Sequence, residues 1–166
     1  RNNDALVGIS PDNTQLYIYR GNKDGGDIYV ASRDDEKNKW KGPKSISRKL
    51  SSPQAEGSVH LTVTGDTIYF ISANEETTNG GKDIYYSVKD LKGKWSDPVN
   101  LGSIVNSSYD EEGIYVTPAG NELFFSSRGH TSMGGFDVFY SYLMDDGTCS
   151  DPENMGYPLN SPDDEL

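Results

Sequence analysis

The sequence predicts an all-β fold assembled from three repeats, and the prediction rests on composition, on the spacing of recurrent motifs and on the lack of a helical period. With 18 glycines and 11 tyrosines among 166 residues, the chain is rich in turn-forming and strand-favouring side chains. The recurrent motifs are "GGDIYVAS", "GKDIYYSV" and "GFDVFYSY", whose aspartates are Asp27, Asp83 and Asp137, and they return at intervals of about 55 residues. Trp40 and Trp95 follow in "WKGP" and "WSDP", and Cys149 fills the same slot in the third copy. Before each aspartate comes a polar turn and an apolar run, with Leu16, Ile68 and Leu123 in register. The period divides one domain, 1–166, into units of approximately 3–55, 56–110 and 111–166,.

Each unit reads as short strands punctuated by turn residues. A first strand, such as "GIYVT" from Gly113, meets the turn "PAGN", where Gly120 can take the positive φ that a tight hairpin needs,. The second strand, "ELFFSS", is apolar at consecutive positions, the pattern of a sheet covered on both faces,. A glycine-rich loop leads to a third strand, "FDVFYSY", and a polar turn to a fourth near "CSDPENM", where a proline suits an edge position,. A four-stranded antiparallel unit of this length, stacked on copies of itself, is a β-propeller blade. Three blades are fewer than the roughly four to eight that close a ring. The open ends are therefore expected to pair with further blades or with another chain.

Charge narrows the function. The chain carries 26 acidic and 15 basic residues, a formal charge of -11, so an electrostatic grip on nucleic acid or on anionic lipid is not expected. Hydrophobic residues make up 33% of the chain and no run approaches the roughly 18 residues of a spanning helix, so no direct membrane insertion is expected. The single cysteine, Cys149, excludes an internal disulfide,. The first residues, "RNNDALVGIS", do not have the pattern of a signal peptide,.

Candidate functional residues fall into two kinds. Asp27, Asp83 and Asp137 recur in every unit at the start of a strand, which suits structural carboxylates that accept from backbone N–H groups of the preceding loop,. Catalysis needs one asymmetric constellation instead. Trp40 and Trp95 are expected to plug the space beside the outer part of their blades, and Cys149 implies a different neighbour that refills the gap. Antiparallel strand order brings two loop sets to one end. One is acidic, with Glu56, then Asp110, Glu111 and Glu112, then Asp163, Asp164 and Glu165. The other contains "RGNKDGG", "SANEETTNGG" and "SSRGHTSMGG" and differs most between copies, which suits recognition,. Arg128 and His130 lead its candidate binding residues, followed by Arg20 and Lys23; His130 reads either as a solvated loop histidine or as a ligand contact. The acidic set could hold a hard cation such as calcium, although no loop has EF-hand spacing. No other cofactor or metal site is indicated.

The elements "SPDN-x-x-L-Y", "GG-x-DIY" and "W-x-x-P-x-NLG-x-x-x-NS-x-x-DE" resemble the WD40-like Pro-Asp propeller repeats of the TolB type over essentially the whole chain. The version they look most like belongs to Gram-negative envelope proteins that carry an OmpA-like peptidoglycan-binding domain downstream, including a component of the type IX secretion machinery. The resemblance implies a periplasmic, outer-membrane-associated location and a non-catalytic scaffold that binds partner proteins through one loop face. Peptidoglycan binding belongs in that family to the OmpA-like domain and is not expected of these residues. The alternatives are a carbohydrate-recognition propeller, using exposed tyrosines and loop polar groups, and a propeller glycoside hydrolase.

Overall fold

The computed structural model describes residues 4–22, 25–34, 36–50, 56–73, 78–144 and 146–166, with the backbone alone at residues 22, 25, 26 and 56. The first sheet orders β1 (Asp4–Ile9), β2 (Gln15–Asn22), β3 (Gly25–Asp34) and β4 (Lys39–Trp40), and β5 (Lys44–Ser45) also pairs with β3. The second runs β6 (Glu56–Leu61), β7 (Thr67–Ser72), β8 (Asp83–Val88) and β9 (Val99–Asn100). The third runs β10 (Glu111–Val116), β11 (Glu122–Ser127), β12 (Asp137–Tyr142) and β13 (Glu153–Asn154). Every pairing is antiparallel. All-β architecture in three sheets of propeller-blade topology is thus the observed fold.

Equivalent local chemistry builds equivalent hairpins. At the tip between the first two strands of each blade, Asn13, Gly65 and Gly120 have φ of 57, 70 and 77°. Their N–H groups donate to the carbonyls of Ser10, Thr62 and Thr117, each at 2.8 Å. Glycine and asparagine are the residues that reach this left-handed region at least cost. The first strand of every blade carries a register shift, between Leu6 and Gly8, Glu56 and Val59, and Glu112 and Ile114. Such bulges increase local twist. They lie in the strands that sit side by side, with β6 between β1 and β10.

The blades bury their faces against one another. One cluster joins Tyr17 and Ile28 of the first blade to Val59, Leu61, Ile68, Phe70, Tyr85 and Trp95 of the second. The other joins Tyr69, Ile71 and Ile84 of the second to Val116, Leu123, Phe125, Phe139 and Cys149 of the third. Leu50 and Val105, from the connections between blades, plug into these two clusters. Only the middle blade is covered on both sides. Its β7 is buried at five successive residues, whereas in β11 Phe124 is half-buried between the buried Leu123 and Phe125.

The tryptophan slot reports the same geometry. Trp95 is 9% exposed, lies within the first cluster and has the Lys89 ammonium 4.6 Å from its ring centroid. Trp40, expected to be a plug, is 44% exposed. The correction has a simple cause: this slot faces the preceding blade, and the first sheet has none against it. Cys149 is buried in the second cluster with Tyr69, and a cleft of about 230 Å³ lined by Tyr69, Tyr86, Leu101, Leu143 and Thr148 stands next to it. Burial raises the thiol pKa of Cys149, which disfavours the thiolate,. Replacing Trp95 by alanine is expected to cost about 3–5 kcal/mol. Urea unfolding followed by circular dichroism would measure it, and a loss below about 1 kcal/mol would show that the cluster collapses around the gap.

Candidate functional site: an interlocked loop face

The loop between the second and third strands and the connection to the next blade share one end of each sheet, and they lock together there. At the second blade, Asn106 Nδ2 donates to the Ile84 carbonyl at 3.0 Å while Ile84 N–H donates to Asn106 Oδ1 at 2.8 Å. Asn106 Nδ2 also donates to Asn100 Oδ1, and Asn100 Nδ2 to Asp83 Oδ2, at 2.8 and 2.7 Å. Asp83 Oδ2 further accepts from Asn79 N–H at 2.7 Å, and Asp110 Oδ1 accepts from Lys82 N–H at 2.9 Å. Glu111 Oε1 accepts from the Ser107 N–H, the Ser107 hydroxyl and the Ser127 hydroxyl at 3.1, 2.6 and 2.9 Å.

The third blade repeats this clasp residue for residue. Asn160 bridges both backbone groups of Val138 and reaches Asn154, Asn154 donates to Asp137, and Asp137 accepts from Met133 N–H. Asp164 accepts from Phe136 N–H at 2.9 Å, and Glu165 from Ser161. Glycine is required where the two segments cross. A Cβ on Gly80 would stand 2.4 Å from the Ser108 carbonyl, and one on Gly134 2.4 Å from that of Pro162. The motif "NLG-x-x-x-NS-x-x-DE" is therefore a device for tying loops down.

The predicted site residues take the following places. Asp83 and Asp137 are fully buried in the clasps, while Asp27 is half-buried opposite Arg20 in the β2–β3 register. Glu111, expected on the open loop face, is fully buried between the second and third blades, because its side chain turns inward onto Ser107 and Ser127. Asp110 is half-buried against Lys82 N–H. Glu56 begins β6, and its side chain lies outside the described residues, as does the whole of Lys23. Arg20 lies over the Tyr29 ring at 5.2 Å with Asp4 at 3.5 Å. Arg128 covers the Phe136 ring at 4.4 Å and has Asp164 at 3.8 Å. Both ion pairs are half exposed and so contribute little to stability,. His130, at φ 55°, packs its ring near Phe125 and Phe139 and places Nε2 2.9 Å from the Val105 carbonyl.

Electrostatics of this face centre on Glu111. Burial raises its carboxyl to about 7, against the bonds from Ser107 and Ser127, and the nearby Asp83 carboxylate pushes the same way. Glu111 Oε2, Asp83 Oδ1 and Asp137 Oδ1 are buried without a hydrogen-bond partner. Among the described residues no group of three or more His, Cys, Asp or Glu side chains could hold a metal. Of the carboxylates that suggested a calcium loop, Asp110 and Asp164 accept from backbone amides, and Glu111 and Glu165 from serine N–H and hydroxyl groups.

Sequence reasoning missed the apolar residues of this end. Ile104, Tyr109, Met133, Tyr157 and Leu159 are 45, 59, 51, 84 and 50% exposed on the clasped loops. Their signal was present, since large apolar side chains stand there among serines, glycines and acids. At the opposite end, a cleft of about 230 Å³ opens between the first strands, lined by Ile9, His60, Val63, Tyr115 and Pro118 among others. It falls below the roughly 300–1,000 Å³ usual for small-molecule sites. Burial lowers the pKa of His60 there, against a backbone bond at Val116.

Solved structures place this architecture among the β-propellers. TolB of Acinetobacter baumannii superposes with a TM-score of 0.55 at 14% identity, over 90% of this chain and 32% of that one. The GH74 enzyme of Niastella koreensis gives 0.51 at 17% identity, over 91% of this chain and 22% of that one. The chain thus spans about a third of the first and less than a quarter of the second, and the likeness defines its fold as TolB-like propeller blades. Neither a protein-family model nor a curated protein sequence matches the chain.

Proposed function

We propose that the chain is a non-catalytic interaction module that recognises partner proteins of the bacterial envelope through its clasped loop face. One observation carries the reading: Tyr109, Met133 and Tyr157 stand exposed on loops immobilised by the Asn106 and Asn160 clasps. Aromatic, methionine and arginine side chains are those enriched at protein interfaces, and loops already ordered lose little entropy on binding. The repeated acids support the non-catalytic half of the reading, because Asp83, Asp137 and Glu111 are occupied with backbone amides, asparagines and serines of their own blades. The envelope setting follows from the resemblance of the repeats to periplasmic, OmpA-domain-bearing proteins.

Capture from envelope extracts, quantified by mass spectrometry, tests the proposal. A partner retained by the wild-type protein should be lost with Tyr109→Ala combined with Met133→Ala, and kept with Thr64→Arg at the opposite end. Saccharide binding on a glycan array without any captured protein would replace this reading by carbohydrate recognition through the exposed tyrosines. Glycosidase activity abolished by one acidic substitution, but not by its repeat equivalents, would replace it by an enzyme.

A further inference from the structure

The joint between the first and second blades shows what this fold can place at the outer part of a joint. Trp95 is buried there with Lys89 against it, the lysine Nζ lying 4.6 Å from the ring centroid and donating to the Gly65 carbonyl at 2.8 Å. Val30 and Ile46 of the first blade pack against the cluster that holds the ring. Ring, cation and carbonyl form one unit.

The joint between the second and third blades repeats the backbone of this unit with other side chains. Leu143 bridges Cys149 as Lys89 bridges Trp95, and so takes the place of the lysine. Gly120 repeats Gly65 at the hairpin tip, Leu101 repeats Ile46, and Tyr86 repeats Val30. Among these residues lies the cleft of about 230 Å³ beside Cys149, and Gly120, Met144 and Thr148 stand exposed at its mouth. One wall is the pair of Tyr69 and Tyr86 rings, with centroids 6.1 Å apart and planes inclined by 35°. Leu101 and Leu143 add aliphatic surface.

Tyr69 points to an occupant. It is 9% exposed, and its hydroxyl has no hydrogen-bond partner among the described residues. Tyr17, at the same position one blade earlier, donates to Gln15 at 2.9 Å. Thr67 stands where Gln15 does and turns its own hydroxyl onto Asp66. A buried tyrosine ordinarily finds a partner for its hydroxyl, so the cleft offers an unused polar group between apolar walls. Its surroundings are acidic: Asp146 is fixed beside it by Thr148, and the Asp66 charge reaches Tyr69.

We propose that this cleft receives a tryptophan side chain from a partner polypeptide that carries a lysine or arginine next to it. The partner then supplies from outside the ring and cation that Trp95 and Lys89 supply at the neighbouring joint. The ring enters between the tyrosine pair and Leu143, its indole N–H donates to the Tyr69 hydroxyl, and the cation reaches the Gly120 carbonyl and the acidic rim. The volume lies below the roughly 300–1,000 Å³ of small-molecule sites and suits a single side chain. Buried aromatic rings and cations over them are among the contacts that anchor protein interfaces. The cleft lies at the hairpin-tip end of the blades, so the inference is independent of what the clasped loop face binds.

The whole 166-residue chain can be titrated with a tryptophan–lysine dipeptide amide, to about 10 mM for so small a contact, with amide chemical shifts followed by two-dimensional NMR. Shifts should concentrate at Gly120, Leu143, Gly147 and Thr148. A tryptophan–glutamate dipeptide amide should bind about fivefold more weakly, and a leucine–lysine one should leave these amides in place. Ala119→Arg, which closes the exposed mouth with a like charge, should abolish the shifts without changing the far-ultraviolet dichroism. Thr64→Arg, the same turn position one blade earlier, should leave them intact. No shifts at the highest concentration overturn the proposal. So do shifts that survive Ala119→Arg, which place the peptide elsewhere, or equal affinity for the leucine peptide, which marks an unselective apolar surface.

Discussion

Asn106→Ala is expected to cost about 2–3 kcal/mol, because it strands the buried N–H of Ile84, while the Ile84 carbonyl keeps the bond from Leu101 N–H and Asn100 Oδ1 the bond from Gly102 N–H,. Each orphaned buried group carries a penalty of about 1–3 kcal/mol, against the roughly 1 kcal/mol net value of an ordinary hydrogen bond. The site is closed on both sides. Asn106 is 1% exposed, and Ile84 is fully buried between the second and third blades. Asn160→Ala removes the same set of bonds from Val138, but Val138 is half-buried on the bare side of the third blade, where water can replace what is lost. Its expected cost is about 1–2 kcal/mol. Urea denaturation of the two variants side by side checks the pair. Equal losses would show that the clasps do not depend on the neighbouring blade.

How far the fold could be read in advance depended on whether a signal was local. The hairpin at Gly120 and the recurrence of Asp83 and Asp137 are properties of short stretches, and they gave the blades their number and order, whereas the consecutive apolar residues of "ELFFSS" did not show that Phe124 in β11 is half-buried and not fully covered. Trp40 and Trp95 have nearly the same local sequence but opposite environments, because the difference lies in whether another sheet stands opposite. No window of sequence contains that information. The partners of the acidic loops lie far along the chain as well. The bond from Lys82 N–H to Asp110 spans 28 residues and the one from Ile84 to Asn106 spans 22. A carboxylate that satisfies a distant backbone amide has the same local appearance as one that waits for a cation. Arg128 and His130 had been singled out for variable surroundings, and their rings and charges are directed largely at Phe136, Asp164, Phe139 and Val105 of their own molecule.

Those occupied side chains alter how the loop face works. Arg128 lies over Phe136 of its own blade, and His130 meets the Val105 carbonyl of the connection before it. The exposed Tyr109 and Met133 then become the groups available for contact, each anchored through its own N–H, to Ser107 Oγ in one case and to Asp137 in the other. Recognition by preordered apolar and aromatic groups predicts low sensitivity to salt, unlike recognition led by Arg20 and Arg128.

Glu111→Gln is expected to change the pH dependence of stability at the joint between the second and third blades. Burial raises the folded-state carboxyl from an ordinary value of 4.5 to about 7, so between those values the folded protein holds a proton that the unfolded chain has released. Stability must then fall as pH rises through this interval, and the whole penalty is present above about 7,. At about 1.4 kcal/mol per pH unit, the difference corresponds to about 3–4 kcal/mol. Glutamine keeps an oxygen for Ser107 and Ser127, carries no charge beside Asp83, and offers an N–H₂ where Glu111 Oε2 and Asp83 Oδ1 both lack partners. The variant should match the wild-type protein near pH 5 and exceed it by about 3–4 kcal/mol near pH 8, as read from urea midpoints. Asp110→Asn, which keeps an acceptor for Lys82 N–H, serves as the control that leaves the wild-type pH profile in place. Parallel profiles for the wild type and Glu111→Gln would mean that Glu111 is ionised in the folded joint, with a donor supplied to Oε2 when the protein is in solution.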